Sequence, residues 1–327
     1  MSRRKTIWIN LIALGVVLTA ALVFSAMMYS SFGASLNAKK LSAGSSRDRI
    51  NAAAALQELG PKATAAVPPL LGVLGNPNDP SAGACARALR EIDAQAAYEY
   101  AGAIAARIER GEIALTPEVI DVFQGLGPVA WRAIPLLRGA VRTRTQHIRS
   151  LIPALIDMGD YGDEVLAAIV EDSRDPVYST RKWDAMLAFD RLGARAAVLK
   201  PELERLAADP TPAVMSQAKL VLSQLARPSK YETSGLRGFP AQALSYQEYA
   251  LDKLSKQGAD ATDAVSDIVS ELRSRSTLIR FTAAWTLAHI GPAASRALPD
   301  LHTALTDATS LVRDAASEAI RAVESRL

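Results

Sequence analysis

The feature that most constrains this sequence is a short segment that recurs at multiples of about 33 residues. Each clear copy contains Leu or Ile, then Gly-Pro, then spaced alanines and a second proline; the copies begin at Leu59, Leu126 and Ile290. A weaker copy begins at Leu192. Self-similarity at this period is typical of solenoids, in which each repeat buries its apolar face against its neighbours.

The same spacing locates the intermediate repeats. The four glycines are at positions 60, 127, 193 and 291, separated by 67, 66 and 98 residues, which is about two, two and three repeat lengths. Five further positions continue the series: Asp93, Gly159, Ala226, Gly258 and Glu324. Small or apolar residues eight and four positions before these turns share one helix face, and a second apolar spacing after the turns predicts a second helix.

The residues at the turns agree with this interpretation. Glycine just past a helix can adopt the left-handed conformation that ends it, and proline suits the first turn of the next helix. The pairs Asp79-Pro80, Asp175-Pro176 and Asp209-Pro210 are typical of an N-cap followed by a first-turn proline. We therefore predict an all-α chain, an α-solenoid of about eight 33-residue helix pairs over residues 46–327, ending in a capping helix from Leu311.

Residues 49–61 hold the best copy, Arg-x-x-Ala-Ala-x-Ala-Leu-x-x-Leu-Gly-Pro. Together with the Ala-Val-Pro-x-Leu that follows, it resembles the short HEAT-like repeats named after phycobilisome lyases. The resemblance implies a right-handed superhelix whose second helices line the concave side. It leaves two functions open, because that family contains protein-binding scaffolds and adaptors as well as a few lyase-like or chromophore-handling enzymes.

Residues 7–29 form an uncharged run of 23 with Trp8 and Tyr29 at its ends. As a helix it would be about 34 Å long, enough to cross a hydrocarbon core of roughly 30 Å. The sequence therefore predicts one transmembrane helix before the solenoid, with residues 30–45 as a flexible connection. A cleaved signal peptide ending near Thr19-Ala20-Ala21 is the alternative.

The charges next to this run predict its orientation. Arg3, Arg4 and Lys5 lie in residues 1–6, closer to the run than the basic residues after it. The positive-inside rule then places residues 1–6 in the cytoplasm. The predicted localisation is the bacterial inner membrane, single-pass, with the solenoid on the periplasmic side.

The remaining composition argues against several functions. Without those three basic residues the chain has 34 basic and 34 acidic residues, so the solenoid lacks the basic excess typical of nucleic-acid binding. Cys85 is the only cysteine, and it lies on a predicted core face. The three histidines form no local metal motif, and no phosphate loop or nucleophile with a placed base is present. We predict no enzymatic activity, no metal and no cofactor.

Two segments are candidates for partner binding. Residues 129–156 contain no acid, and Trp131, Arg138 and Arg142 share one helix stripe, with Arg144 nearby. Such side chains are enriched at binding hot spots. The alternatives are a solvated face balanced by the acids that follow, or contact with lipid headgroups.

The second candidate is a loop over residues 228–240, where two prolines and two glycines replace a second helix. Tyr231, Arg237 and Phe239 are its candidate binding residues; a merely degenerate repeat is the alternative. Together these features predict a membrane-anchored scaffold or assembly factor that binds a membrane-associated protein on its concave face.

Overall fold

A computed structural model describes residues 33–143, 147–175, 179–226 and 244–325, with side chains from Leu251 onwards in the last range. Within these ranges all regular structure is helical, and no strand occurs. The predicted all-α, helical-repeat class is confirmed. We number the α-helices in chain order, with α1 over residues 33–43.

The repeats follow the predicted 33-residue series, and we number them by their first helices. Repeats 1 to 9 begin with α2 (Ser46–Leu59), α4 (Ala82–Ile92), α6 (Pro117–Leu126), α8 (Ile148–Asp157), α10 (Ser179–Leu192), α12 (Pro212–Leu225), α13 (Leu244–Gln257), α15 (Thr277–Ile290) and α17 (Ser310–Glu324). The second helices are α3 (Val67–Leu74), α5 (Ala94–Glu109), α7 (Ile134–Arg142), α9 (Asp163–Ser173), α11 (Lys200–Leu206), α14 (Val265–Glu271) and α16 (Leu298–Ala304).

The Gly-Pro segments form a characteristic turn between the two helices of a repeat. The glycines at positions 60, 127, 193, 258 and 291 have φ between 53° and 68°, which explains why glycine ends these first helices. Each glycine is the first residue of a 3-10 helix that precedes the second α-helix or its position in the repeat: η1 (Gly60–Ala66), η2 (Gly127–Ala133), η3 (Gly193–Leu199), η4 (Gly258–Ala264) and η5 (Gly291–Ala297).

One apolar core runs through the described repeats. Consecutive first helices pack against each other, α2 on α4, α4 on α6 and α6 on α8, and again α13 on α15 and α15 on α17. Alanine at the close approaches and fully buried Leu56, Leu89 and Phe123 fill the space between them. Cys85 is fully buried in this core, as the sequence predicts, and burial raises the pKa of its thiol to about 11.

Neighbouring repeats are also joined by a recurring ion pair. A basic residue near the start of one first helix contacts an Asp just before the next: Arg49 with Asp79 at 2.7 Å, Lys182 with Asp209 at 2.8 Å, and Arg280 with Asp307 at 2.7 Å. Each Asp also accepts the backbone N–H two residues later. The predicted role of Asp79 and Asp209 as N-caps is therefore wrong, because α4 and α12 begin two or three residues beyond the Asp-Pro pairs.

This pairing predicts a pH dependence, which Asp307→Asn isolates because the amide oxygen can still accept the Thr309 N–H. Burial alone would raise the pKa of Asp307, but the hydrogen bonds from Arg280 and Thr309 outweigh it and lower the pKa below 3.8. The stabilisation is therefore present above about pH 4 and is lost as the pH falls through the lowered value. We expect the variant to lose about 1.5–3 kcal/mol at pH 7. Urea unfolding should show this difference shrinking below pH 4; a constant difference would contradict the assignment.

Two predictions about the N-terminal region are corrected. The sequence predicts a flexible connection over residues 30–45, but residues 33–43 are helical, with Ala34 and Leu41 buried in the core. Ala34, Ala38 and Leu41 recur at helical spacing, and this apolar stripe outweighs the Ser, Gly and Lys residues around it.

The predicted localisation, a single-pass inner-membrane protein with a periplasmic solenoid, is also corrected. No helix among the described residues is long and apolar enough to cross a membrane. Residues 7–29, on which that prediction was based, lie outside the described ranges.

Candidate functional site

The last repeats contact the second and third repeats, so the chain closes on itself. The Tyr98 hydroxyl in α5 donates to the Asp314 carboxylate in α17 at 2.6 Å. Arg132 in η2 pairs with the same carboxylate at 3.0 Å. Gln95 donates to the Ser310 hydroxyl at 2.8 Å and accepts the Leu311 N–H at 3.0 Å. We call this contact between repeats 2–5 and repeats 7–9 the closure interface.

Aromatic side chains form the apolar part of the closure interface. The Trp285 ring of α15 lies 5.8 Å from the Trp131 ring of η2 and 6.1 Å from Phe281, measured between ring centroids. Trp285 is only 7% exposed and Phe281 1%. These rings bury area that a helix in an open array would leave in water, so they contribute to closure.

A polar junction adjoins the aromatic group. His289 contacts two carbonyl oxygens, that of Gly159 in repeat 4 at 3.0 Å and that of Trp285 at 2.9 Å. Arg195 in η3 donates through Nη2 to the carbonyl oxygens of Ser255 at 3.0 Å and His289 at 3.1 Å. Its guanidinium also lies 4.8 Å from the centroid of the Tyr161 ring. Burial lowers the pKa of both His289 and Arg195.

A cavity of about 330 Å³ lies between the two parts of the chain. Its polar lining is largely paired within the protein: Gln124 donates to Asp157 at 2.7 Å, and Lys256 donates to Asp252 at 2.9 Å. The lining also includes Phe281 and Trp285. The described residues contain no cluster of three or more His, Cys, Asp or Glu side chains suited to a metal ion.

Of the residues predicted to bind a partner, three make contacts within the chain and four lie outside the described residues. Trp131 is half-buried in the closure interface. Arg138 donates a bidentate pair of hydrogen bonds to the carboxylate of Asp160, whose side chain is fully buried. Arg142 Nη1 lies 3.8 Å from Glu164 Oε1. Arg144, Tyr231, Arg237 and Phe239 lie outside the described residues. Trp131 and the two arginines therefore make internal contacts, and the structure does not bring them together as one free surface.

A different surface carries exposed apolar side chains. Trp183 and Leu187, one turn apart on α10, are 39% and 44% exposed, and Leu220 on the neighbouring α12 is 48% exposed. We call these three residues the outward patch. Trp183 is therefore not packed into the core, whereas Trp285 is.

The outward patch and the closure interface use equivalent positions in the repeat. Trp183 and Leu187 lie ten and six residues before the turn glycine at 193, as Phe281 and Trp285 do before Gly291. Leu220 lies six residues before Ala226. An alignment of the repeats at the positions ten and six residues before each turn identifies the residues of both surfaces from the sequence alone.

No protein-family model matches the chain, and no curated protein matches it. Among solved structures, an engineered protein is similar at 17% identity with a TM-score of 0.34, over 91% of each chain. A Kap121p mutant is similar at 12% identity and a TM-score of 0.32, and Kap121p bound to Nup53p at 16% and 0.27. In both cases the match covers 89% of this chain but 37% of the Kap121p chain. The fold assignment rests on the repeat contacts described above.

Proposed function

We propose that this protein is a non-enzymatic HEAT-type scaffold that binds a protein partner through the outward patch. The observation that supports this proposal is the equivalence between that patch and the closure interface. At the same repeat positions, Phe281 and Trp285 already hold α15 against a second protein surface within the chain. Trp183, Leu187 and Leu220 present similar chemistry, and no residue in the described part of the chain covers them.

The surroundings of the patch favour an amphipathic helix as the partner's binding element. Beside Leu187, a shallow groove between α8, α9 and α10 is lined by Ile152, Ile169 and Ala188. A helix laid in such a groove anchors with apolar residues at one-turn intervals. Arg149 and Arg191 along the groove are already paired with Asp184 and Asp157, so the apolar anchors carry the recognition.

The outward patch lies on two first helices, α10 and α12, whereas the sequence favours a binding surface on the concave face, which second helices are expected to line. Trp131 and Arg132 are occupied by α15 and α17, and Arg138 is held by the buried Asp160. Releasing them for a partner would break internal contacts, whereas the outward patch can bind without such a cost.

Site-specific photo-crosslinking tests the proposal. A photoreactive phenylalanine derivative replaces Leu187 in one variant and Leu71, 37% exposed on α3, in a matched control. We expect a discrete adduct with one partner protein at position 187 and none at 71. The double variant Leu187→Glu/Leu220→Glu should reduce co-purification of that partner at least tenfold, while Leu71→Glu should not. Equal adducts at both positions, or an adduct only with a second copy of the chain, would contradict the proposal.

A further inference from the structure

The first turn of α17 lies on a surface formed by α5 and η2 in repeats 2 and 3. Thr309, the N-cap residue of α17, makes no side-chain hydrogen bond to the start of the helix. Gln95 of α5 takes this role instead, because its side-chain oxygen accepts the Leu311 N–H and its NH₂ group donates to the Ser310 hydroxyl. The first N–H groups of a helix have no carbonyl partner within that helix. A distant repeat therefore caps the start of α17.

One turn beyond Ser310, the Asp314 carboxylate meets two donors on the same surface. These donors are the Tyr98 hydroxyl at 2.6 Å and Arg132 Nη2 at 3.0 Å. Contacts within repeats 2 and 3 position them, since the Arg132 guanidinium lies 5.1 Å from the centroid of the Tyr98 ring and 5.6 Å from that of Trp131. Burial and the hydrogen bond to Asp314 raise the pKa of Tyr98, so its hydroxyl keeps the proton that it donates. The surface therefore recognises a carboxylate one turn from a helix start.

The closure interface around this contact leaves several buried polar groups unsatisfied. Within the described ranges, three of its side-chain atoms are buried without a hydrogen-bond partner: Trp131 Nε1, Arg195 Nε and Gln257 Oε1. His289 adds a mismatch, because both of its ring nitrogens face carbonyl oxygens and a neutral imidazole has only one N–H to donate. Opening of the interface lets water reach these groups and satisfy them. The closed arrangement is therefore opposed by a polar cost that the open chain does not have.

We propose that Gln95, Tyr98 and Arg132 form a binding site for the start of a helix in a partner protein, and that α17 occupies this site as an internal competitor. We call these three residues the helix-start site. The contacts of α17 define the chemistry of the partner helix. It has Ser or Thr at its first position, an uncapped N–H at its second position, and Asp four residues after the first.

Occupation by α17 makes binding at the helix-start site conditional. Because α13 packs on α15 and α15 packs on α17, repeats 7–9 leave the site together. A partner shifts the chain towards the open state only if it binds that state more tightly than the closed one. The partner must therefore replace the internal contacts, a cost that the outward patch does not have. The two surfaces are independent, because the outward patch lies on α10 and α12.

Fluorescence anisotropy with a labelled peptide tests the inference. The peptide has the sequence of residues 309–325, and a side-chain link between positions 319 and 323, on the side opposite Asp314, keeps it helical. The receptor is the full chain with Asp314→Lys, in which the new cation meets Arg132 and displaces α17. We expect this variant to bind the peptide saturably and the wild-type chain to bind it at least tenfold more weakly. Glu324→Lys is the matched control, because Glu324 is exposed at the end of α17, and it should behave as the wild-type chain does.

Exchange of charges identifies the contact in a second open receptor. Trp285→Ala provides this receptor, because it removes the indole that packs on Trp131 in the closure interface. In this background Arg132→Glu should weaken binding of the parent peptide at least tenfold, and a peptide with Asp314→Arg should restore it. Failure of the parent peptide to bind both Asp314→Lys and Trp285→Ala would overturn the inference. Binding of equal strength to the wild-type chain and to both open receptors would also overturn it, since α17 would then not compete.

Discussion

Trp285→Ala is expected to open the contact between α15 and repeats 3 and 4 and to lower the free energy of unfolding by about 3–5 kcal/mol. The indole is 7% exposed and contacts three aromatic rings, those of Trp131, Phe281 and His289. Its removal leaves a cavity at the centre of the closure interface. Neighbour contacts within repeats 1–5 do not involve Trp285, so these repeats should remain folded.

Chemical unfolding followed by far-UV circular dichroism measures the loss of stability, and small-angle scattering measures the opening. The matched control is Trp183→Ala, in which the lost side chain is 39% exposed on the outward patch. We expect less than about 1 kcal/mol for the control, since surface substitutions cost little. Equal effects of the two substitutions, or an unchanged radius of gyration for Trp285→Ala, would show that the closure interface does not hold the chain together.

The repeat architecture could be predicted from the sequence because it depends on local patterns. A turn glycine with positive φ, a proline after it and alanines at one-turn spacing before it recur at a fixed period. Each of these signals acts within one repeat or between two neighbours, where helix packing is nearly the same every time. This is why the boundaries of α2, α6 and α15 follow from the positions of Gly60, Gly127 and Gly291.

Closure could not be predicted in this way, because it joins residues that the repeat rule does not relate. Tyr98 and Asp314 are 216 positions apart, and His289 and Gly159 are 130 apart. The sequence signal that indicates closure is the composition of α15. Phe281, Trp285 and the core-facing residues of this helix are all apolar or small. A helix that is apolar on nearly all sides is buried on nearly all sides. By contrast, the position of α17 that is equivalent to Phe281 holds Asp314. This side chain makes polar contacts with Tyr98 and Arg132.

The acid-free stretch 129–156 shows why the charge pattern was a weak guide to the site. Arg138 and Arg142 appear unbalanced along the sequence, but the next repeat supplies Asp160 and Glu164 twenty-two residues later in each case. In a solenoid the relevant neighbour of a side chain lies in the adjacent repeat. Charge balance is therefore better assessed between repeats than along a continuous segment.

Gly159→Ala is the second substitution for which we expect a large effect. Gly159 has φ of 87°, and a Cβ there would lie 2.8 Å from Trp285 Nε1 and 3.2 Å from Cζ2. Two costs combine: positive φ in an L-residue costs roughly 1–2 kcal/mol, and overpacking against a buried ring adds about 1–3 kcal/mol. Thermal or urea unfolding should show the sum of the two.

Gly111→Ala separates these two costs. Gly111 has φ of 73°, but a Cβ there meets nothing within 4 Å, so only the backbone cost applies. The difference between the two variants then measures the clash with Trp285. In a Trp285→Ala background the clash partner is gone, and Gly159→Ala should cost about as much as Gly111→Ala does in the wild-type chain. Strictly additive effects of Gly159→Ala and Trp285→Ala would mean that the two residues are not in contact in solution, because only contacting residues couple in such a cycle.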